Sequence, residues 1–576
     1  MFKKILALVL ALIMVMAVFV GCGTKKTNLG GNSDGTKETT VGTTVDAEGD
    51  DPISDEDTDE ESDEEDSESE SDELVSKDTI DFTANPDIVV DDTSPFEEWT
   101  IDMLLTPELF QGSDIPDDRD YGGYEFNVLA DTTNVNYEFI DQSDGDLIKD
   151  AVINRQQWIE EYVGIDFVLT ETLGGYGNMD GFAAEIESAS GAGTPYDMAL
   201  AYNLIPPVVA AKGLSRDLAE SENLNLYNTT KEYWGKEIKK EIMVGGRIFW
   251  MSDNSSWNNI RQMLCIFVNL DFFSRINPTM DKADLYEMVE SGVWTFDNML
   301  MLAQNSYENT NFGDEKTDGA DDGDMYGLQA ALSGPWLDTW LYAAGFRYTK
   351  LNNKGTYDWT LGDQPVIDFI DWWQEQLNDN DIDKSDSAYS KESASNMFQD
   401  GRAMFALSAI RIIEHGVELD YTVLPMPLYN KDIKNAYSTP FSNDYSSWLI
   451  PKAAKADAFE RSATVLELLA AEGNRRLAPV YFEIYLKRQA ASNDEDMRKM
   501  FNVIRNSIVF DMGYLYGSVL KYDQNGDNPG EVFLATRRIW AGDGTGFHSN
   551  ISTVWASIGR SVTTKLNNLM VDILDY

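Results

Sequence analysis

Apolar and polar positions follow two rhythms along residues 121–475, and the two rhythms take turns. Glu125–Ala130 (EFNVLA) reads as a strand. Leu147–Tyr162 then places Leu147, Ile148, Ala151, Val152, Trp158, Ile159 and Tyr162 on one helical face. Asp146 is positioned to cap that helix and Gly164 to end it. Ile165–Thr170 (IDFVLT) is a second strand, Gly181–Ser188 a short helix, and Asp197–Tyr202 (DMALAY) a third strand. Strands that alternate with helices imply βαβ units and a parallel sheet. Ligands of such sheets sit beyond the carboxyl ends of the strands. Tyr202 and Asn203 leave the third strand at that edge and are candidate site residues.

Further along, Arg247–Trp250 and Leu264–Asn269 also read as strands. The loop between them is polar and aromatic, with Ser252, Asp253, Asn254, Trp257, Asn258 and Asn259. Ser447–Ile450 is a late strand that ends at Pro451. Asp457 then opens a helix as its N-cap, with Glu460 three residues on as in a capping box, and Gly473 is its expected stop.

The amino terminus has a different texture. Lys3 and Lys4 precede an uncharged apolar run, Ile5–Val20, too short for a comfortable membrane span and shaped like a signal peptide. It ends in Phe19-Val20-Gly21-Cys22. Residues 23–95 hold 25 Asp and Glu against 4 Lys, with little to bury, which predicts a disordered, self-repelling spacer. A coil of residues 23–120 would span about 55 Å. Phe96, Trp99, Leu104, Leu105 and Phe110 lie in the transition to the body and are able to dock on it.

Composition narrows the chemistry. The 576 residues carry a formal charge of −56, which argues against nucleic acid and anionic lipid surfaces as partners. Two Cys and two His exclude a disulfide framework or a Cys/His zinc site of the usual type. No Gly-rich phosphate loop, His-Glu-x-x-His or Gly-x-Ser-x-Gly is present, and His415 and His548 are the only imidazoles. Cys265 sits in an apolar run and reads as a buried strand residue rather than a nucleophile. The acidic loops Asp318–Asp324 and Asp523–Asn528 lack the spacing of an EF-hand loop. No cofactor and no metal are expected. The chain is instead rich in aromatics, with 14 Trp and 26 Tyr. Aromatic rings stack on the C–H faces of sugars, and Asp, Asn and Arg satisfy their hydroxyls.

The order of segments resembles a known family, the extracellular solute-binding proteins of ABC transporters, family 1, maltodextrin-binding type. EYVGIDFVLT, GGRIFWMSD with LCIFVNLDFF, VWTFDNMLMLAQ, MYGLQAAL, MFQDGRAMFAL, DYTVLPMP and SSWLIPKAAKADAFERSATVLELL match seven family segments in order, over residues 121–475. Residues 476–576 match poorly. Phe19-Val20-Gly21-Cys22 resembles a bacterial lipobox, although Phe19 stands where Leu is commonest. That resemblance implies cleavage before Cys22 and its lipidation.

The family resemblance implies an α/β, two-lobed, periplasmic-binding-protein-like type II fold with a cleft between the lobes. The expected division is a signal peptide and lipobox at 1–22, an acidic linker at 23–120 and a first lobe at 121–262 and 428–475. The second lobe takes 263–427, completed by 476–576. Ser333-Gly334-Pro335-Trp336, followed by Trp340, resembles the segment that contacts sugar in such binders. Trp250, Asn254 and Trp257 lie by the first crossover. Arg411 stands where family members often place a cleft aromatic, and Asp444 and Tyr445 precede the late strand at a typical cleft position. The expectation is a lipid-anchored, non-enzymatic, monomeric binding protein on the outer face of a Gram-positive membrane. It would capture an oligosaccharide and pass it to an ABC permease. A binder of peptide or another polar solute, a sensor protein, and a secreted carbohydrate-active enzyme are the alternatives.

Overall fold

The computed structural model describes residues 77–575 apart from 227–230, 232, 253–255, 305, 309–323, 332–334, 380–394, 430–435, 443, 518, 524–528 and 532–550. Cys22, the acidic run before residue 77, Asn254, Ser333, Gly334 and His548 lie outside the described residues, as do the two acidic loops apart from Asp324 and Asp523.

Among the described residues the strands are β1 Tyr124–Asp131, β2 Ile165–Thr172, β3 Met198–Tyr202, β4 Leu264–Asn269, β5 Tyr326–Gln329, β6 Thr349–Leu351, β7 Tyr357–Trp359, β8 Ala403–Ala409, β9 Tyr421–Leu424 and β10 Ser446–Leu449, followed by the short pair β11 Lys521–Asp523 and β12 Pro529–Glu531. Two four-stranded sheets form, in the orders β10-β3-β1-β2 and β5-β8-β4-β9. In the first, β1 pairs in parallel with β2 and β3, and β10 closes the edge antiparallel to β3. In the second, β4 runs antiparallel to β8 and β9, and β5 is parallel to β8. The chain therefore builds most of one sheet, crosses to the other at β4, and returns at β10.

Burial follows the sheet positions. All residues of β3, β4 and β8 are buried, as strands covered on both faces require. Edge strand β2 alternates between covered and exposed positions. The helix Leu147–Val163 joins β1 to β2; the Asp146 carboxylate accepts from Ile148 N at 2.8 Å and Lys149 N at 3.0 Å, and Gly164 ends it at φ 65°. A left-handed residue there is most easily a glycine.

Three local expectations are corrected. Arg247–Trp250 is extended but unpaired as a strand. It is reached through a tight turn at Gly245 and Gly246, both at positive φ, and Met251 meets β10 only by an isolated bridge to Trp448. Asp457 does not cap the late helix, which spans Ala456–Glu472 with Lys455 before it; Asp457 lies in its first turn, where its charge complements the helix dipole. Gly473 does not stop that helix, because its φ of −58° and ψ of −48° are helical. The chain continues through wide π-type turns at Gly473–Leu477 and Pro479–Ala490.

Residues 77–95, read from composition as part of the spacer, lie against the body. Asn502 Nδ2 donates to Asp92 O at 2.8 Å, and Asn506 Nδ2 to Asp91 O at 3.1 Å and Thr93 O at 2.9 Å. Beyond them Leu104, Phe110 and Ile484 form a small core of their own, covered by Phe96 and Trp99. Leu105 stays exposed. Arg488 and Arg475 pin this segment through the carbonyls of Trp99 and Pro107, each at 2.8 Å.

Candidate functional site: a cleft at the strand ends

The carboxyl ends of β1 and β3 are tied together by one buried side chain. Asp131, the last residue of β1, accepts from Thr133 N at 2.9 Å, Gly175 N at 2.9 Å and Tyr202 N at 3.2 Å. The loops after β1, β2 and β3 are thus drawn to a point. The approach is close: a Cβ on Gly174 would fall 2.1 Å from Asp131 Oδ2, so only glycine fits. Next to this knot the start of β10 is held by side-chain amides. Asn258 Nδ2 donates to Asp444 O at 2.8 Å and to Ser446 Oγ at 3.1 Å, and Asn259 Oδ1 accepts from Ser446 N at 2.8 Å.

On this scaffold stand polar atoms with no protein partner. Asn203 is fully buried, yet neither its Oδ1 nor its Nδ2 makes a well-formed hydrogen bond, although the Tyr445 hydroxyl is close enough to feel it. Asn258 Oδ1, Gln262 Oε1 and the Tyr342 hydroxyl are buried without partners as well. Leaving a buried polar group unpaired costs about 1–3 kcal/mol.

Two walls flank the start of β10. One is a small cavity of about 20 Å³ lined by Tyr445, Asp338, Tyr342, Phe441, Phe510 and Asp511, among others. It is the size of a single water. Asp338 accepts from the Tyr348 hydroxyl at 2.5 Å. Asp511 takes Gly513 N at 2.7 Å, the Thr349 hydroxyl at 3.1 Å and also Tyr348 N, but burial outweighs these bonds and holds its carboxyl up at about 6. Burial also pushes the Tyr342 and Tyr445 hydroxyls up, so both stay protonated donors.

The other wall is aromatic and charged. Trp257, half-buried, meets Tyr137 edge-on at 5.3 Å. The Arg261 guanidinium lies 4.6 Å over Tyr137 and pairs with Glu414, Nε to Oε1 at 2.9 Å. Tyr481 donates to the same carboxylate at 2.6 Å. Its partner contacts hold the Arg261 charge firmly, because Glu414 offsets a strong desolvation by burial. Arg411, after β8, reaches Asp444, before β10, at 3.4 Å. That contact bridges a residue following the second sheet to one preceding a strand of the first.

The sequence-derived candidates fall into two sets. Asn203, Trp257, Arg411, Asp444 and Tyr445 gather around the cleft, with the Tyr202 backbone held by Asp131. Trp336 is half-buried on the helix Pro335–Ala343, one turn from Trp340. Trp250 and Trp340 are buried in the core: Trp250 packs edge-on against Tyr516 at 5.3 Å, and Trp340 packs on Phe296 and Trp373 and donates to Ala330 O at 2.8 Å. Their rings have no face open to solute. Sequence reasoning missed Tyr137, Arg261, Asp338, Glu414, Tyr481 and Asp511. Only Asp338, within the Pro335-Trp336 segment, carried a usable signal; the rest are brought in by tertiary packing. Among the described residues, no group of three or more His, Cys, Asp and Glu is placed to hold a metal ion, and no helix is long and apolar enough to cross a membrane.

No protein-family model matches the chain, and no curated protein matches it. Solved structures do. The cyclic alpha-maltosyl-1,6-maltose binding protein of Arthrobacter globiformis is 12% identical, with a TM-score of 0.48 over 78% of this chain and 100% of that one. The galacto-N-biose-/lacto-N-biose I-binding protein of an ABC transporter from Bifidobacterium longum is 14% identical, with a TM-score of 0.47 over 79% and 98%. The GacH receptor of Streptomyces glaucescens, solved with and without acarbose, is 13% identical, with a TM-score of 0.46 over 78% and 100%. All three scores fall below 0.5, so the cleft is read from this chain's own side chains. Its two mixed sheets, with the chain passing from the first to the second before β4 and back before β10, make an α/β molecule.

Proposed function

We propose that this chain is a solute-binding protein that captures a short carbohydrate in the cleft and releases it unchanged. The observation that carries the reading is the buried amide of Asn203 at the end of β3, which makes no well-formed hydrogen bond and has the Tyr445 hydroxyl beside it. Sugar hydroxyls donate and accept, so one ring satisfies both ends of an amide. Trp257 and Tyr137 offer apolar faces beside the Arg261–Glu414 pair, the combination that sugars require. Arg411–Asp444 joins the two sides of the cleft and suits a hinge that closes on the solute.

In this reading Cys22 carries a lipid anchor and the acidic spacer holds the body off the outer face of a membrane, where it serves an ABC permease. The sequence features at 1–73 support this part. Replacing Cys22 by Ala should abolish labelling by fatty acid and release the protein into the medium; a mutant that is still labelled contradicts the anchor. A thermal-shift screen of glycans, followed by analysis for product, tests binding against turnover. A shift with the glycan recovered intact supports the binder, and a shortened glycan supports an enzyme.

A further inference from the structure

A larger cavity lies away from the cleft. Its volume is about 650 Å³, within the range of small-molecule sites, and it is walled on one side by residues 91–96 of the docked amino-terminal segment. The opposite walls come from Trp234, Asn474 and Phe482, and from Asn502 and Arg505 on the helix Glu495–Asn506.

Two of these residues are chemically incomplete. The Arg505 guanidinium lies 4.4 Å over the Phe482 ring, and among the described residues it makes no hydrogen bond or ion pair. Burial lowers its pKa, with Glu483 the charge that opposes the effect. Glu483 itself is taken by Lys487 at 2.9 Å and by the Ser94 hydroxyl at 3.1 Å. Asn502 is buried; its Nδ2 is spent on Asp92 O, and its Oδ1 has no partner. The cavity thus presents a set of free N–H donors over an aromatic face, beside a buried acceptor that needs a donor. A planar carboxylate satisfies the guanidinium fork, a hydroxyl satisfies Asn502 Oδ1, and a ring lies against the half-buried Phe96.

We propose that this cavity is a second solute site, separate from the cleft, that takes a short acidic saccharide of the uronic-acid class. It does not rest on what the cleft binds. The carboxylate pairs with Arg505, ring hydroxyls meet Asn502 and Asn474, and the docked segment roofs the site. The charge of −56 disfavours anions elsewhere on the chain, so selectivity for the acid falls to Arg505.

Calorimetric titration of the full-length protein with D-glucuronate, and with D-glucose as the neutral match, tests this. Glucuronate should bind, and glucose should bind at least about tenfold more weakly. Arg505→Gln should weaken glucuronate by about tenfold or more, with Arg505→Lys recovering part of the loss and Trp257→Ala leaving it unchanged. Unliganded melting curves check that each variant folds. If Arg505→Gln does not fold, Ile508→Trp, which fills the cavity from another wall, should abolish binding instead. The proposal is overturned if glucuronate does not bind, if glucose binds as tightly, if folded Arg505→Gln or Ile508→Trp binds like wild type, or if Trp257→Ala removes the signal.

Discussion

Three tryptophans that look alike in the sequence have different surroundings. Trp257 is half-buried at the aromatic wall of the cleft, and its loss should weaken carbohydrate binding by about 1–3 kcal/mol, roughly one to two decades in Kd. The unliganded melting temperature of Trp257→Ala should change little. Trp250→Ala and Trp340→Ala should do the reverse, costing about 3–5 kcal/mol of stability, because both rings are packed on all sides. Calorimetric titration beside denaturant unfolding on each variant separates the two outcomes. A second kind of residue is harder to recognise in a sequence. Glu467 is fully buried, and it accepts from Asn225 N at 3.0 Å, Asn225 Nδ2 at 2.9 Å, Trp234 Nε1 at 2.8 Å and the Tyr233 hydroxyl at 2.5 Å. In the sequence it is one of 100 acidic residues. Glu467→Ala strands four buried donors and should destabilise the protein by at least about 3 kcal/mol, measured by urea unfolding. A loss below about 1 kcal/mol would show that these donors find other partners.

At the scale of elements, the sequence was most legible where pattern and caps agreed. β1, β2 and β3 and the helix between β1 and β2 fall within two residues of their expected bounds, because alternation, an Asp cap and a left-handed Gly point the same way. Gly473 misled for a physical reason: glycine permits a left-handed stop but does not impose one, and here packing carries the helix onward. The site was less legible than the sheets. Asn203 could be placed by the strand-end rule, but Glu414 and Tyr481, which share one hydrogen bond, are 67 residues apart. Nothing local in sequence announces such a pair. The Asp511 loop shows another consequence of packing. Its carboxyl is held up at about 6, whereas an unfolded Asp titrates near 3.9. Between those values the unfolded chain releases a proton that the folded chain keeps. The stability this group contributes is therefore full below about pH 4 and is lost as pH rises through about 6. The stability of wild type minus that of Asp511→Asn should fall across this window in urea titrations at stepped pH. A constant difference would place the Asp511 pKa at its ordinary value.

The described body is built on two four-stranded sheets joined by crossing segments and strapped by the docked stretch from residue 77 to residue 120. Composition marks residues 23–95 as spacer, yet 91–93 are held by Asn502 and Asn506, and Leu104 and Phe110 are buried as expected of docking residues, so the strap belongs to the folded body. Leu104→Ala should lower stability by about 2 kcal/mol or more, and deletion of 77–120 by more than that, without altering carbohydrate affinity in the cleft. An affinity change on deletion, read by titration, would mean that the strap shapes the cleft. The central claim is that the cleft holds a carbohydrate and leaves it intact. Calorimetric titration of wild type and Trp257→Ala with a panel of neutral oligosaccharides, with each mixture then analysed for shortened chains, tests it most directly. The prediction is saturable one-to-one binding of at least one saccharide, weakened by about one to two decades in the variant, with the saccharide recovered whole. Absence of binding across the panel, equal binding by the variant, or recovery of shortened chains would contradict it.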